Sequence, residues 1–257
     1  MSSTPPERVR VRGLLKRGGT GLVQSRRDDG RWDVPEIVQH LRPWRRSGGP
    51  IEATELYVFK PTRLPHGFWS WLFGLAPAVE LIVEIDPARP DRGRIVRYLG
   101  PRRDPALAEA RGEWLAGRKL EDARFGRFAF DERVNQFEAG TEWLGKPVTL
   151  SLEAVDGQAP ALAEARALFD AAEAWDKRIR QAMLDSLLAL RNETWRDEDE
   201  PELDAQAFLD RVTLEAITIG SERFVEFHHD DGDLFAGHTI IVTYDGETDT
   251  IDAQIAG

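Results

Sequence analysis

Cysteine is absent from the 257-residue chain, methionine is scarce, and no apolar run is long. Without Cys, disulfides, thiolate metal sites and a cysteine nucleophile are all excluded. The most apolar stretch, residues 68–83, is shorter than the ~20 residues that a membrane-spanning helix needs, and Pro77 and Glu80 interrupt it. The first ten residues contain no apolar segment like that of a signal peptide. These absences predict a cytoplasmic protein without a membrane span.

Charge is divided unequally along the chain. Residues 1–120 contain 22 Lys and Arg against 14 Asp and Glu, a net charge of +8, whereas residues 121–257 contain 12 against 31, a net charge of −19. This division predicts a basic N-terminal domain over 1–120 and an acidic C-terminal domain over 121–257. Because an acidic surface repels phosphates, the C-terminal domain disfavours nucleic acid, but the basic domain leaves nucleic-acid contact open.

The N-terminal domain has mostly the patterns of β-strands. Val9 and Val11 alternate with Arg residues, which predicts a strand with one charged face, and Gly18-Gly19 is predicted to be a turn. Three further segments are predicted to form an antiparallel meander: residues 54–60, 78–85 and 93–99. The domain is therefore expected to be small and mostly β.

Helices are predicted at two places in the N-terminal domain. Residues 33–41 resemble a short helix, because Asp33 is a good cap and Pro35 is tolerated in a first turn. Asp104 followed by Pro105 predicts the start of a second helix. The apolar stretch 68–83 is expected to be a buried strand or a loop that lines the core.

The C-terminal domain begins and ends with strand patterns and has helical patterns between them. Apolar residues recur every three or four positions from about residue 159 to about residue 195, which predicts one long helical segment. Asp204 is predicted to cap a second, short helix. Four strand patterns then follow at residues 214–220, 223–228, 239–244 and 250–255. The order strands, helices, strands predicts an α+β fold with antiparallel β-sheets.

The densest group of catalytic residue types lies near the last strands. His228, Asp231, Asp233 and His238 could bind a metal ion through nitrogen and oxygen, or act as acid and base, and Glu193 could lie beside them. Their spacing fits neither a calcium loop nor the helical two-His protease motif. The alternative is a structural turn, since Asp and Gly favour turns, and the spacing favours this interpretation. No cofactor is predicted.

Two charged segments are candidates for binding. An acidic run follows the long helical pattern and is predicted either to be a solvated loop or to bind a basic partner; its acidic residues are Asp197, Glu198, Asp199, Glu200 and Glu202. In the basic half, the segment Arg42-Pro-Trp-Arg-Arg46 combines an aromatic ring with three Arg and could contact phosphates or bases.

Several segments of the C-terminal half resemble the bacterial family catalogued as domain of unknown function 2262. They are Phe125-Gly-Arg-Phe-Ala-Phe-Asp, Glu142-Trp-Leu-Gly-Lys-Pro-Val-Thr-Leu, Leu190-Arg-Asn-Glu-Thr-Trp and Gly232-Asp-Leu-Phe-Ala-Gly-His-Thr-Ile. The resemblance covers about residues 120–257 and implies membership of the family without implying a mechanism. The Leu-Phe-Ala-Gly-His segment is also similar to small bacterial families suspected of being immunity proteins.

Three functional hypotheses follow from the sequence. The first is a protein of the immunity or accessory type that binds and neutralises a basic protein, such as a toxin, because acidic surfaces attract basic partners. The second is a metal-dependent or acid–base hydrolase centred on the segment Asp231–His238. The third is a two-module protein that contacts nucleic acid through its basic half.

Overall fold

The computed structural model describes residues 5–16, 20–26, 33–75, 77–155, 158–197 and 199–256, so the predicted turn at Gly18-Gly19 lies outside the described residues. The fold is α+β with mostly β character. Contacts divide the chain into two compact units. The barrel unit comprises Met1–Gly117 and Glu132–Val134, and the sheet unit comprises Arg118–Asp131 and Asn135–Gly257. Independent folding on either side of residue 120 stays a prediction.

Five strands of the barrel unit close into a ring. Its elements are β1 (Glu7–Leu15), β2 (Gly21–Val23), β3 (Glu36–Arg46), β4 (Ile51–Glu52), β5 (Leu56–Pro61), α1 (His66–Gly74), β6 (Ala78–Asp86), β7 (Arg89–Arg102) and α2 (Pro105–Ala116). The hydrogen-bonded order is β1-β6-β7-β5-β3, and β3 pairs again with β1. Strands β5 and β7 pair in parallel, and the other pairs in the ring are antiparallel. The ring encloses the unit's apolar core.

Three local predictions for the barrel unit are wrong in whole or in part. The segment 33–41 is not a helix but enters strand β3, because Ile37 and Leu41 are buried at even spacing and β3 pairs on both edges. The stretch 68–83 is a buried strand only from Ala78, where β6 begins, because its first part is helix α1, which buries Trp69 and Phe73 on one side at a spacing of four residues. The predicted meander holds for the antiparallel pair β6–β7 but is wrong for β5, which is a parallel neighbour of β7.

The sheet unit is built on eight strands covered by helices. Its strands are β8 (Leu120–Asp122), β9 (Gly126–Asp131), β10 (Gln136–Trp143), β11 (Lys146–Glu153), β12 (Thr213–Ile219), β13 (Phe224–Asp230), β14 (Thr239–Asp245) and β15 (Thr250–Ala256). They lie in chain order across the sheet. The pair β11–β12 is parallel, so the prediction of purely antiparallel sheets is wrong at the point where the helices connect these two strands.

The predicted long helical region is divided into several pieces. They are α3 (Leu162–Asp170), α4 (Ala172–Met183) and two π-helical segments, Leu184–Leu188 and Arg191–Trp195, followed by α5 (Ala205–Arg211). Asp204 accepts a hydrogen bond from the Ala207 N–H, which confirms the predicted cap of α5. The apolar stripe packs on the sheet: the Trp175 ring lies 4.7 Å from the Tyr244 ring. Among the described residues, no helix has both the length and the apolarity that crossing a membrane requires.

Candidate functional site

Asp231 organises the turn that joins β13 to β14. Its carboxylate accepts hydrogen bonds from the backbone N–H groups of Asp233 (3.1 Å), Phe235 (2.7 Å) and Gly237 (3.2 Å). The residue is only 2% exposed. A buried carboxylate with three backbone donors is fully satisfied as an anion. Its oxygens therefore hold the turn together and are directed at the backbone.

The second half of this turn returns to the core. Phe235 is fully buried, and its ring lies 5.7 Å from the ring of Trp195 and 6.4 Å from that of Phe208. The His238 Nδ1 donates to the Phe235 carbonyl at 2.5 Å, and the imidazole stands edge-on to Trp195 at 5.4 Å. His238 thus has a clear structural role, since it fixes the exit of the turn against the core.

Backbone conformation explains why glycine occupies positions 232 and 237 of the turn. The φ angles of Gly232 and Gly237 are 55° and 78°, in the left-handed region that favours glycine. A Cβ added to Gly232 would lie 2.3 Å from the carbonyl oxygen of Arg211, so no other residue fits there without movement of the backbone. Asp233 also has a positive φ of 61°, which Asp tolerates better than most residues.

The remaining catalytic candidates do not converge on this turn. His228 lies on the face of the sheet opposite to the helices, where its Nε2 is 3.5 Å from a carboxylate oxygen of Glu226. Glu193 is exposed on the π-helical segment Arg191–Trp195. Within the described parts of the chain, no three His, Asp or Glu side chains are grouped so that they could hold a metal ion. The hydrolase hypothesis gains no support from this geometry and stays a prediction.

His229, next to His228, points toward the helices. It is 4% exposed, and desolvation lowers its pKa to about 4. Its Nδ1 donates to the Phe227 carbonyl at 3.1 Å. It lines a cavity of about 70 Å³ together with residues that include Asp176 and Arg180. Such a volume holds a few water molecules and is far below the ~300 Å³ of an ordinary ligand pocket.

Part of the acidic run after the π-helical segments is held by contacts within the sheet unit. Glu200 pairs with Arg191, which lowers the pKa of that carboxyl, and its carbonyl accepts from Arg196 at 2.7 Å. The acidic residues Asp197, Asp199 and Glu202 are exposed, whereas Glu198 lies outside the described residues. Three predicted binding residues are therefore accessible, and Glu200 mainly ties the loop to Arg191.

An acidic sheet face is the feature that the sequence patterns did not reveal. We call it the open face: the side of β10–β15 opposite to the helices. These six strands contain eight acidic residues but a single Lys, and Lys146 lines the cavity on the helix side. Paired positions run across the open face in a row: Glu138, Ser151, Thr218, Glu226, Thr243 and, at the edge of the sheet, Asp252, which accepts a hydrogen bond from Ser186 of a π-helical segment at 3.1 Å. Strand alternation was visible in the sequence, but the row exists only once the register is known.

Comparison with known families decides the membership of this domain. Residues 122–255 match the family described as "Uncharacterized protein conserved in bacteria (DUF2262)". The chain belongs to this family. Neither the curated proteins nor the solved structures that were compared with the chain gave a match. The match confirms the resemblance proposed for about residues 120–257, and we call residues 122–255 the DUF2262 domain.

One end of the open face of the DUF2262 domain forms an acidic pocket. The pocket has a volume of about 320 Å³. Its lining residues are Glu153, Gly220, Ser221, Glu222, Phe224, Asp245 and Glu247. Glu153 accepts from the Ser221 N–H at 2.7 Å and Asp245 from the Glu247 N–H at 2.8 Å, so two of the four carboxylates are fixed by backbone. Phe224 is 41% exposed beside them. A pocket with four carboxylates and one ring suits a cationic side chain.

Proposed function

We propose that the DUF2262 domain is a protein-binding domain, of the immunity or accessory type, whose open face docks a basic protein. The observation that carries the proposal is the segregation of charge on β10–β15, where eight acidic residues accompany one Lys that faces the helices. A surface of one sign attracts a partner of the opposite sign, speeds association and disfavours acidic competitors. A basic toxin is one such partner.

The acidic pocket supplies an anchor for this interface. Binding energy at protein interfaces is concentrated in a few buried residues, and Arg is among the commonest of them. An Arg from the partner could pair with the carboxylates of Glu153 and Asp245 and stack on the ring of Phe224. The neighbouring Arg223 already has partners: its Nε lies 3.6 Å from a carboxylate oxygen of Glu164, and a terminal guanidinium nitrogen donates to the Gly246 carbonyl at 3.4 Å. The exposed residues of the acidic loop, 197–202, form a second surface for a basic partner.

The proposal is tested with the proteins encoded by the two genes that flank this one. Each is purified, and its binding to the full chain is measured by calorimetry at about 50 mM and about 300 mM NaCl. We expect one basic product to bind and the higher salt to weaken its affinity, because screening shortens the range of charge interactions to about a nanometre or less. The double variant Glu138→Lys/Glu226→Lys should weaken binding at least tenfold, by repulsion at two positions of the open face.

A matched variant separates the two acidic surfaces. Asp197→Asn/Asp199→Asn removes two charges from the loop and leaves the open face intact, so it should change the affinity by no more than about twofold. If instead the loop variant loses affinity and the Glu138→Lys/Glu226→Lys variant does not, the partner binds the acidic loop and not the open face. If neither flanking product binds, or if both variants bind like the wild type, the proposed function is wrong.

A further inference from the structure

The outer face of the barrel carries aromatic rings and guanidinium groups side by side. Residue pairing places Tyr57 between His40 and Arg92, and in the next row it places Phe59 between Val38 and Arg94. Their neighbours at alternate positions, Ile37, Leu41 and Val58, fill the barrel core. We call the outward side chains of β3, β5 and β7 the ring face: Val38, His40, Tyr57, Phe59, Arg92 and Arg94.

Contacts hold these rings in place while their surfaces stay accessible. The Tyr57 ring lies 3.9 Å from the His40 ring and is 42% exposed. The guanidinium of Arg92 stands over the Phe59 ring at 4.7 Å. Both Arg92 and Arg94 are exposed. The arrangement therefore combines flat apolar surfaces, fixed by their neighbours, with cations that solvent can reach.

The carboxylate of Glu55, which contacts the His40 ring, is already neutralised. Glu55 accepts from the His40 Nδ1 at 2.9 Å and lies 3.6 Å from the Lys16 Nζ. The hydrogen bond from His40 is the main reason that the pKa of Glu55 is lowered, and it also orients the imidazole beside Tyr57. The anion thus helps to position the rings, and its charge is balanced by Lys16.

We propose that the ring face binds single-stranded nucleic acid. Unpaired bases stack on aromatic side chains whatever their sequence, and cations beside the rings contact the phosphates that link them. A duplex keeps its bases stacked inside, so it cannot use Tyr57 and Phe59 in this way. A neutral oligosaccharide could stack on the rings but has no phosphate to pair with the charges of Arg92 and Arg94.

Barrel topology supports the same surface independently. In chain order the five ring strands are β1, β3, β5, β6 and β7. If they are renumbered 1 to 5 in that order, neighbouring strands around the ring are 1-2-3-5-4, and strand 4 pairs with strand 1 to close it. Helix α1 lies between strands 3 and 4 in the chain. This is the topology of the OB-fold, a five-stranded Greek-key barrel that binds oligonucleotides or oligosaccharides on its second and third strands. Those strands are β3 and β5, which carry the rings. Fold alone does not assign function, so the side chains carry the argument.

The segment Arg42–Arg46, which the sequence offers as a phosphate or base site, has other contacts. Arg42 stacks on Trp114 at 4.4 Å, Arg45 pairs with Asp104 at 2.5 Å, and Arg46 pairs with Glu7 at 2.8 Å. Trp44 is 6% exposed. These side chains serve the barrel unit itself, and the ring face is a separate surface on the same strands.

Fluorescence anisotropy of a labelled oligothymidylate of about 15 nucleotides tests the proposal on the full chain at low salt. Tyr57→Ala should weaken binding about 5- to 100-fold, the range expected for loss of one stacked base. Tyr57→Phe keeps the ring and should stay within about twofold of wild type. Trp71→Ala removes another exposed ring, on α1, and should leave the affinity unchanged.

Salt dependence reports the phosphate contacts separately. If Arg92 and Arg94 each neutralise one phosphate, Arg92→Gln/Arg94→Gln should lower the slope of log affinity against log salt by about 1.4. Arg127→Gln removes an exposed charge from the sheet unit and should leave the slope unchanged. The proposal is overturned if the oligothymidylate does not bind, if a duplex of equal length binds as tightly, or if Tyr57→Ala, folded by circular dichroism, binds like the wild type. Since the probe contacts the barrel unit, this outcome is independent of the partner of the DUF2262 domain.

Discussion

The barrel unit and the sheet unit each bury an ionisable side chain with a lowered pKa, Glu80 in the first and His229 in the second, and the same direction of shift gives the two side chains different charge states. In the barrel, Glu80 is 2% exposed, and hydrogen bonds from Arg10 foremost, and from Arg12 and Arg102, lower its pKa to about 2. In the sheet unit, His229 is 4% exposed, and desolvation lowers its pKa to about 4. Glu80 is therefore a buried anion among cations, whereas His229 is a buried neutral imidazole.

This difference shows why net charge is a poor guide to a surface. Arg12 bridges Glu80 and Asp104, and Arg45 also pairs with Asp104, so several barrel cations balance buried carboxylates. The acidic side chains of the open face have few such partners on their own strands, because β10–β15 contain only Lys146. The count of 22 Lys and Arg in the basic half thus overstates the cations that are free at its surface.

Asp231→Ala should cause the largest loss of stability. The substitution removes the acceptor of the N–H groups of Asp233, Phe235 and Gly237, of which only Phe235 is buried, and a hydrogen bond to a charged group contributes about 1.5–3 kcal/mol. We expect the free energy of unfolding of the sheet unit to fall by about 3 kcal/mol or more. Hydrogen exchange measured by mass spectrometry checks this, because peptides from the two units report separately.

Asp230→Ala is the matched control for this experiment. Asp230 is exposed and accepts a single hydrogen bond, from the Gly232 N–H at 2.9 Å, so its loss should cost about 1 kcal/mol or less. For Asp231→Ala, the hydrolase hypothesis predicts a loss of activity or of metal and not a loss of stability. A carboxylate that serves catalysis or a metal ion would be removed with little loss of stability, and the purified wild type would contain a stoichiometric metal ion.

His229 should make the sheet unit sensitive to mild acid. The folded pKa of about 4 lies below the ordinary value of 6.5, so the unfolded chain binds a proton more readily at intermediate pH. Stability is therefore fully present above pH 6.5 and is lost as the pH falls toward 4, by about 3 kcal/mol at 1.4 kcal/mol for each pH unit. Urea unfolding at several pH values measures this loss.

His229→Leu separates this effect from other titrations. The apolar side chain fills the same site but binds no proton, so the unfolding free energy of the sheet unit should become nearly flat between pH 6.5 and pH 4. A wild type whose stability does not change in this range, or a variant that still shows the full slope, would rule out His229 as the cause.

Local signals in the sequence predicted the positions of helices and strands better than they predicted which strands pair with each other. The caps at Asp104 and Asp204 and the four terminal strands lie where the sequence predicts them, because capping and alternation depend on neighbouring residues. The parallel pairs β5–β7 and β11–β12 were missed, since each joins strands that are distant in the chain. Pairing with distant strands also overrides the helix signal at Asp33.

The candidate sites also differ in whether they depend on neighbouring residues or on the pairing of distant strands. A turn rich in Asp and Gly could be identified at residues 230–233 from composition alone. The open face and the ring face could not, because each is made of side chains from several strands and requires the register between them. For example, Tyr57 and Arg92 are neighbours only through the parallel pairing of β5 with β7.

Glu80→Gln tests the buried anion of the barrel and should have the smallest effect of the three. Loss of the charged hydrogen bonds should lower the unfolding free energy of the barrel unit by about 1–3 kcal/mol. The cost stays moderate because Arg10, Arg12 and Arg102 are 31–52% exposed and can turn to water. As the pKa of Glu80 is lowered, its contribution in the wild type is present above pH 4.5 and fades as the pH falls toward 2.

Glu84→Gln provides the comparison within the same strand. Glu84 pairs with Arg8, which is 64% exposed, and such a surface pair contributes about 0.5 kcal/mol. If Glu80→Gln costs no more than Glu84→Gln, the buried anion does not stabilise the barrel beyond a surface ion pair. If it costs more, acid should loosen the two units in sequence, the sheet unit between pH 6.5 and 4 and the barrel below pH 4.5. Hydrogen exchange of peptides from β6 and from β13 would then separate the two steps, because each strand lies in a different unit.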